Sequence, residues 1–262
     1  MPTTYTHDIF GKEVFKRLPE EIKDTIRGGK GLYRIGLHGP DIFFYYHPVT
    51  NNPLVELGNK MHAEIAAPFF EQSVEQFRKK PSTGLASYLM GFACHYVLDS
   101  ACHGYIGEYE SKSGASHAEI ETELDRYLML RERKVLFSYL PAGVLEPTTA
   151  NCKVIARLFP QIGYKLIQKS ISSMKFFDKL LTCKTNLKEK IILNGMKVFH
   201  CYDSMEGQVM RKVPMERCRE STEHLMELYT GALEEAPGVL ANLYECLYKD
   251  GRLSERFQRN FE

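Results

Sequence analysis

His95, Asp99 and His103 stand at i, i+4 and i+8. At ~100° per residue these positions drift only ~40° and ~80° around a helix, so all three side chains point the same way. Apart from tyrosines and thiols, they are the only ionisable groups in the apolar stretch from Leu85 to Ile106. A buried carboxylate without a partner is costly, and two imidazoles beside it invite a cation. Eight residues of helix span ~12 Å, whereas the ligands of one zinc sit ~3–4 Å apart. One ion therefore cannot be held by both His95 and His103. Asp99, midway, can serve an ion near His95 and reach toward a neighbour. The spacing predicts two or more ions strung along one helix.

Other residues extend the pattern. Seven of the nine histidines, at 7, 38, 47, 62, 95, 103 and 117, fall in the first 117 residues. His117 and Glu121 share a helix face at i and i+4 and can complete a site with His103. Glu119, Glu123 and Asp125 lie off that face and are expected to be solvated. His62 falls on the preceding helical segment, His7 at the start of the first. Asp41 follows His38-Gly39-Pro40, in a loop where backbone can approach a ligand closely. Each i,i+4 pair alone is more often a helix-stabilising pair than a metal site; their succession favours metal. No HExxH motif and no Glu three residues before a His occurs, so zincin proteases and di-iron bundles are excluded. His7-Asp8 has the form of an HD-phosphohydrolase dyad, but the further ligands of that class are at other spacings. His38, His47, His200 and His224 read as structural or surface residues.

The elements that must position these groups are helices. Asp8 is expected to cap a helix running to about Ile26, stopped by Arg27-Gly28-Gly29. Residues 29–54 look loop-like. Further helices are expected over about 53–79 and 83–106, followed by a loop, GEYESKSGAS. The next begins near Ser116, with Glu119 as its capping-box partner. Helical patterns then cover roughly 149–182, 187–212, 214–235 and 237–249. With no alternating strand pattern and no repeat, the expectation is one all-α domain of seven to nine helices over 1–262. Its metal-binding half is 1–135 and its helical remainder 145–262.

Composition agrees with a globular chain: 262 residues, 44% hydrophobic and 26% charged. With 34 Lys and Arg against 33 Asp and Glu, no global field attracts nucleic acid or membrane. Seven scattered cysteines without a CxxC read as reduced, mostly buried thiols. The N-terminal MPTTYTHDIF shows neither part of a secretory signal. Leu85–Ile106 has the length of a membrane span, but His95, Asp99 and His103 would be expensive in lipid. It is read as a buried helix, and the chain as cytoplasmic.

In these residues and their order the chain resembles the zinc-dependent phospholipase C family, whose all-α fold is shared with the S1/P1 nucleases. The resemblance is ordered over residues 7–121 and implies a three-zinc cluster that hydrolyses phosphodiester bonds. It implies that Asp41, His62, His95 and Asp99 hold one zinc and His103, His117 and Glu121 a second. His7 would hold a third with Asp99 and the N-terminal residue, so that Asp99 bridges two ions. Two features depart from the family. Its secreted members present a ligating Trp as new N-terminus, whereas this chain has no Trp; after loss of Met1 the amine of Pro2 would stand in its place. Asp99 to His103 is also tighter than the family's usual spacing.

The implied chemistry is zinc-assisted attack of water on phosphorus, with two to three zinc ions spreading the developing charge and Asp41 orienting or deprotonating the water. Phe43, Phe44, Tyr45 and Tyr46 can wall an acyl chain or choline methyls, or simply pack in the core. No basic patch interleaved with aromatics appears, which disfavours nucleic acid as substrate. The resemblance thus implies a phospholipase C-like hydrolase of phospholipid or a smaller phosphodiester. An S1/P1-type single-strand nuclease and a non-catalytic zinc-stabilised helical module are the alternatives. No C-terminal lipid-binding β-domain follows, so any membrane contact is expected to be transient.

Overall fold

A computed structural model describes residues 4–48, 50–134, 136–137 and 139–262, with only the backbone of Ser204. Among them are twelve α-helices and no strand. These are α1 (Thr4–Arg17), α2 (Glu20–Gly28), α3 (Lys30–Gly36), α4 (Pro53–Ala63), α5 (Ala67–Lys79) and α6 (Thr83–Ser113). Then follow α7 (His117–Arg131), α8 (Thr149–Ile155), α9 (Tyr164–Leu181), α10 (Asn186–Val198), α11 (Tyr202–Met205) and α12 (Arg219–Tyr248). The helices pack as a single domain, and none is long and apolar enough to cross a membrane.

Helix α6 is the axis of the core. From Leu85 to Asp99 every side chain is buried, as expected of a helix apolar all round. Helix α3 crosses it at Gly36 and Gly91, where a Cβ at either position would meet opposing backbone at 2.2 Å. α12, α2 and α1 cover other sides of α6. A smaller separate cluster centred on Cys183, Met196 and Val209 lies under α10 and α11.

The count exceeds seven to nine because prolines and short turns divide the expected segments. Pro19 has no amide hydrogen to continue α1 and instead starts α2. Asp8 is thus no cap. It is buried inside α1 and accepts hydrogen bonds from Lys12 and the Tyr139 hydroxyl. The cap comes from far away: the Asp125 carboxylate of α7 accepts from the Tyr5 and Thr6 amides. Residues 29–54 are not a plain loop, since α3 and a 3-10 helix (Gly39–Tyr45) occupy them. The expected 53–79 helix divides after Ala63, with Pro68 in the first turn of α5. α6 continues through most of the expected loop to Ser113 and stops at Gly114, whose φ is +69°. The Ser116–Glu119 capping box forms.

At Pro237 the expectation fails in the other direction, because α12 runs straight through. Proline at 237 leaves the Leu233 carbonyl without its helical donor. The Arg17 guanidinium of α1 donates to that oxygen at 3.0 Å. Glu119, Glu123 and Asp125 are buried rather than solvated. Glu119 closes the capping box and pairs with Arg217, Glu123 pairs with Arg126, and Asp125 caps α1. Cys94, Cys102, Cys152, Cys183, Cys218 and Cys246 are buried thiols outside any disulfide.

Candidate metal centre

Five elements bring side chains together at the middle of α6. His7 comes from α1, Asp41 from the 3-10 helix, His62 from the last turn of α4, His95, Asp99 and His103 from α6, and His117 and Glu121 from α7. The 3-10 helix can approach α6 this closely because Gly39 has no side chain: its Cβ would lie 2.2 Å from the His95 ring, and its φ of +44° favours glycine.

The eight residues assemble into two groups and one outlier. Asp41, His62, His95 and Asp99 each turn a ligand atom inward, all within 4.8 Å of one another. His103, His117 and Glu121 do the same. Asp99 stands between. Its Oδ2 lies 2.8 Å from His95 Nε2 and 3.5 Å from His62 Nε2. Its Oδ1 lies 3.2 Å from His7 Nε2 and 3.7 Å from His103 Nε2. Glu121 Oε1 is 3.1 Å from His117 Nε2 and 3.5 Å from His103 Nε2. His7 reaches only Asp99 and stacks on His95, with ring centres 4.4 Å apart. Pro2 lies outside the described residues.

These atoms fit zinc better than they fit one another. His95 Nε2 and Asp99 Oδ2 are buried and 2.8 Å apart, yet neither makes a hydrogen bond. Adjacent ligands of a tetrahedral zinc with bonds of ~2.0–2.1 Å stand ~3.3 Å apart, and the approaches around Asp41 and Asp99 run from 2.8 to 4.0 Å. Among the described residues no Lys or Arg pairs with Asp41, Asp99 or Glu121, although all three are buried. Three buried carboxylates surrounded by imidazoles, with no Lys or Arg to pair them, make a donor set that suits divalent cations. His62 is already oriented: its Nδ1 donates to the Gly58 carbonyl at 2.8 Å, which turns Nε2 inward.

The titration behaviour follows from the same geometry. Burial alone would raise the pKa of Asp99, but His95, His103 and His7 hold it well below the usual carboxylate range. Glu121 is likewise lowered against burial, by His117 and His103. Burial disfavours charge on His62, yet Asp41 and Asp99 raise its pKa to about 11. Burial prevails at His95, which is lowered, and at His38, lowered to about 3 by burial and the nearby His7. His38 is thus a neutral core residue behind the centre.

A cleft of about 680 Å³ opens onto His62, His103 and His117. Phe44 forms part of its wall and stacks on His62 at 5.4 Å. Glu108, Glu110, Asp203 and Glu262 also line it, with no Lys or Arg among its lining residues. A second cavity of about 530 Å³ shares Phe44 and Gln208 with it. Of the aromatic run, Phe43 packs on Phe159 in the core and Tyr45 is buried.

The sequence reading missed three contributors. Gly39 passed as a loop glycine. Glu110, assigned to a loop, sits near the end of α6 and accepts the His117 amide. Phe261, in a segment without helical pattern, backs His62 and His95 at ring distances of 5.6 and 6.0 Å. No periodic signal marks an aromatic residue whose backbone amide donates a hydrogen bond to the His62 carbonyl.

Comparison with curated proteins and with solved structures returned no match. The model of the family described as Zinc dependent phospholipase C matches residues 6–189, a span that includes all eight converging side chains. The chain belongs to this zinc-dependent phospholipase C family, and membership implies hydrolysis of phospholipid phosphodiester bonds.

Proposed function

We propose that the chain cleaves the phosphorus–oxygen bond on the glycerol side of a phospholipid, releasing a phosphorylated head group and an alcohol. Asp41, His62, His95 and Asp99 hold one zinc in this reading, and His103, His117 and Glu121 a second. His7 and Asp99 supply a third. The observation that carries it is the division of Asp99, one oxygen toward each neighbouring set of imidazoles. Zinc bound there supplies Lewis-acid polarisation of the phosphate and acidifies a water. Asp41 orients that water and accepts its proton as oxygen adds to phosphorus. Burial of the cluster strengthens each charge interaction. Phe44 and the acidic rim of the cleft suit a cationic head group such as choline. Residues 7–121 supply the ligands, and the helical remainder supports them. Six buried cysteines outside any disulfide favour a reducing, cytoplasmic setting.

The test is hydrolysis of a chromogenic phosphorylcholine ester by the zinc-loaded chain. Asp41→Asn is expected to lose turnover by ~10²-fold or more while its circular dichroism is unchanged. Release of mononucleotides from single-stranded DNA in place of ester hydrolysis would establish the nuclease alternative. No turnover on either, with zinc bound, would mark a non-catalytic zinc-stabilised module.

A further inference from the structure

Helix α10 is apolar on two opposite sides. Its inner side, with Met196, Ile192 and Leu193, packs on the small cluster of Cys183 and Val209. On the other side Leu187, Ile191 and Val198 recur at i, i+4 and i+11, which places them in one stripe. Leu187 is 70% exposed, Ile191 60%, Val198 73% and Phe199, at the helix end, 80%. An ordinary surface helix turns polar residues outward here, so a stripe of this kind marks a contact surface.

Charge and position narrow what it contacts. Lys190 and Lys197 run along one flank of the stripe, and Lys184 precedes the helix. None of the three meets a carboxylate among the described residues. Glu189, the single acidic residue of α10, is taken by Arg211. An apolar stripe edged with lysine is the pattern of a helix lying in a bilayer interface. Phe199, His200 and Cys201, where α10 ends, line the cavity that continues past Phe44 into the metal cleft.

We propose that the outer face of α10 docks on an anionic lipid bilayer and holds the mouth of the cleft against it. This rests on the phospholipase reading above, since a phospholipid substrate resides in such a surface. A second copy of the chain fits less well, because a two-fold contact through this stripe would bring the lysine flanks together.

The test uses the zinc-loaded full chain and vesicles of mixed phosphatidylcholine and phosphatidylserine. The parent is expected to sediment with them. The triple variant Leu187→Ser, Ile191→Ser, Val198→Ser is expected to lose vesicle affinity by ~10-fold or more. Its hydrolysis of vesicle lipid falls in parallel, whereas its hydrolysis of a water-soluble short-chain phosphatidylcholine stays at the parent's rate. A second variant, Lys184→Gln, Lys190→Gln, Lys197→Gln, is expected to lose the preference for serine-containing vesicles, as added salt does to the parent. Equal sedimentation of parent and both variants overturns the proposal, as does a parent dimer that the serine variant dissociates. Absence of all hydrolysis by the parent sinks the phospholipase reading instead, and vesicle sedimentation still decides the docking face.

Discussion

A methyl group at Gly39 would stand 2.2 Å from Cδ2 of His95, so the turn bearing Asp41 and the helix bearing His95 meet without room for a side chain. Gly39→Ala must push them apart and also strain a left-handed residue. The expected cost is about 2–4 kcal/mol of stability, with zinc content per chain falling while helicity by circular dichroism persists. Unchanged zinc content would show that the contact does not set the ligand geometry.

Asp99 and Glu121 are expected to differ when neutralised. Asp99→Asn removes charge facing both groups of imidazoles and should lower occupancy at more than one site. Glu121→Gln should affect only the site of His103 and His117. Elemental analysis of the two variants reads the difference, and equal losses would contradict a shared role for Asp99.

Removing zinc leaves the buried carboxylates without compensating cations. Chelation is expected to lower the melting temperature by ~10 °C, reversed when zinc is restored. A melting temperature indifferent to chelator would mean that the centre contributes nothing to folding.

Away from the centre, burial pushes the Asp178 carboxyl up to about 7, with Asp125 adding to the rise against the Ala142 amide. A carboxyl whose pKa is higher folded than unfolded binds its proton more tightly in the native state. Its stabilising contribution is therefore present at acid pH and lost as pH rises through about 7. Asp178→Asn keeps an acceptor for the Ala142 amide. Relative to the parent its gain should be larger at pH 8 than at pH 5 by about 2 kcal/mol, as read from chemical denaturation at the two pH values. A constant difference between them would refute the assignment.

Phe261 is buried and packs on Tyr96 and on the rings of His62 and His95 at the candidate centre. Phe261→Ala is expected to cost about 3 kcal/mol and to weaken zinc retention during dialysis. Loss of stability with zinc retention intact would make it a packing residue alone.

The convergence on α6 was legible because helical periodicity is local: His95, Asp99 and His103 share a face whatever surrounds them. The Ser116–Glu119 cap is local too, and it formed as expected. What escaped depends on partners remote in the chain. α12 survives Pro237 because Arg17 supplies a donor to Leu233, and no window around 237 contains that arginine. Asp125 looked solvated on its own helix, yet it terminates α1. The division of 53–79 was within reach, since Pro68 marks a helix start as readily as an interior defect.

The anchoring of Phe261 beneath His62 has a consequence for biogenesis. Its partners His62 and His95 lie far upstream of it in the chain, so it is translated long after them. While residues 257–261 are still inside the ribosome, the floor beneath two of the imidazoles is missing. Stable metal retention is thus expected to await emergence of residues 257–261, and their removal is expected to leave the proposed ligands present but poorly loaded.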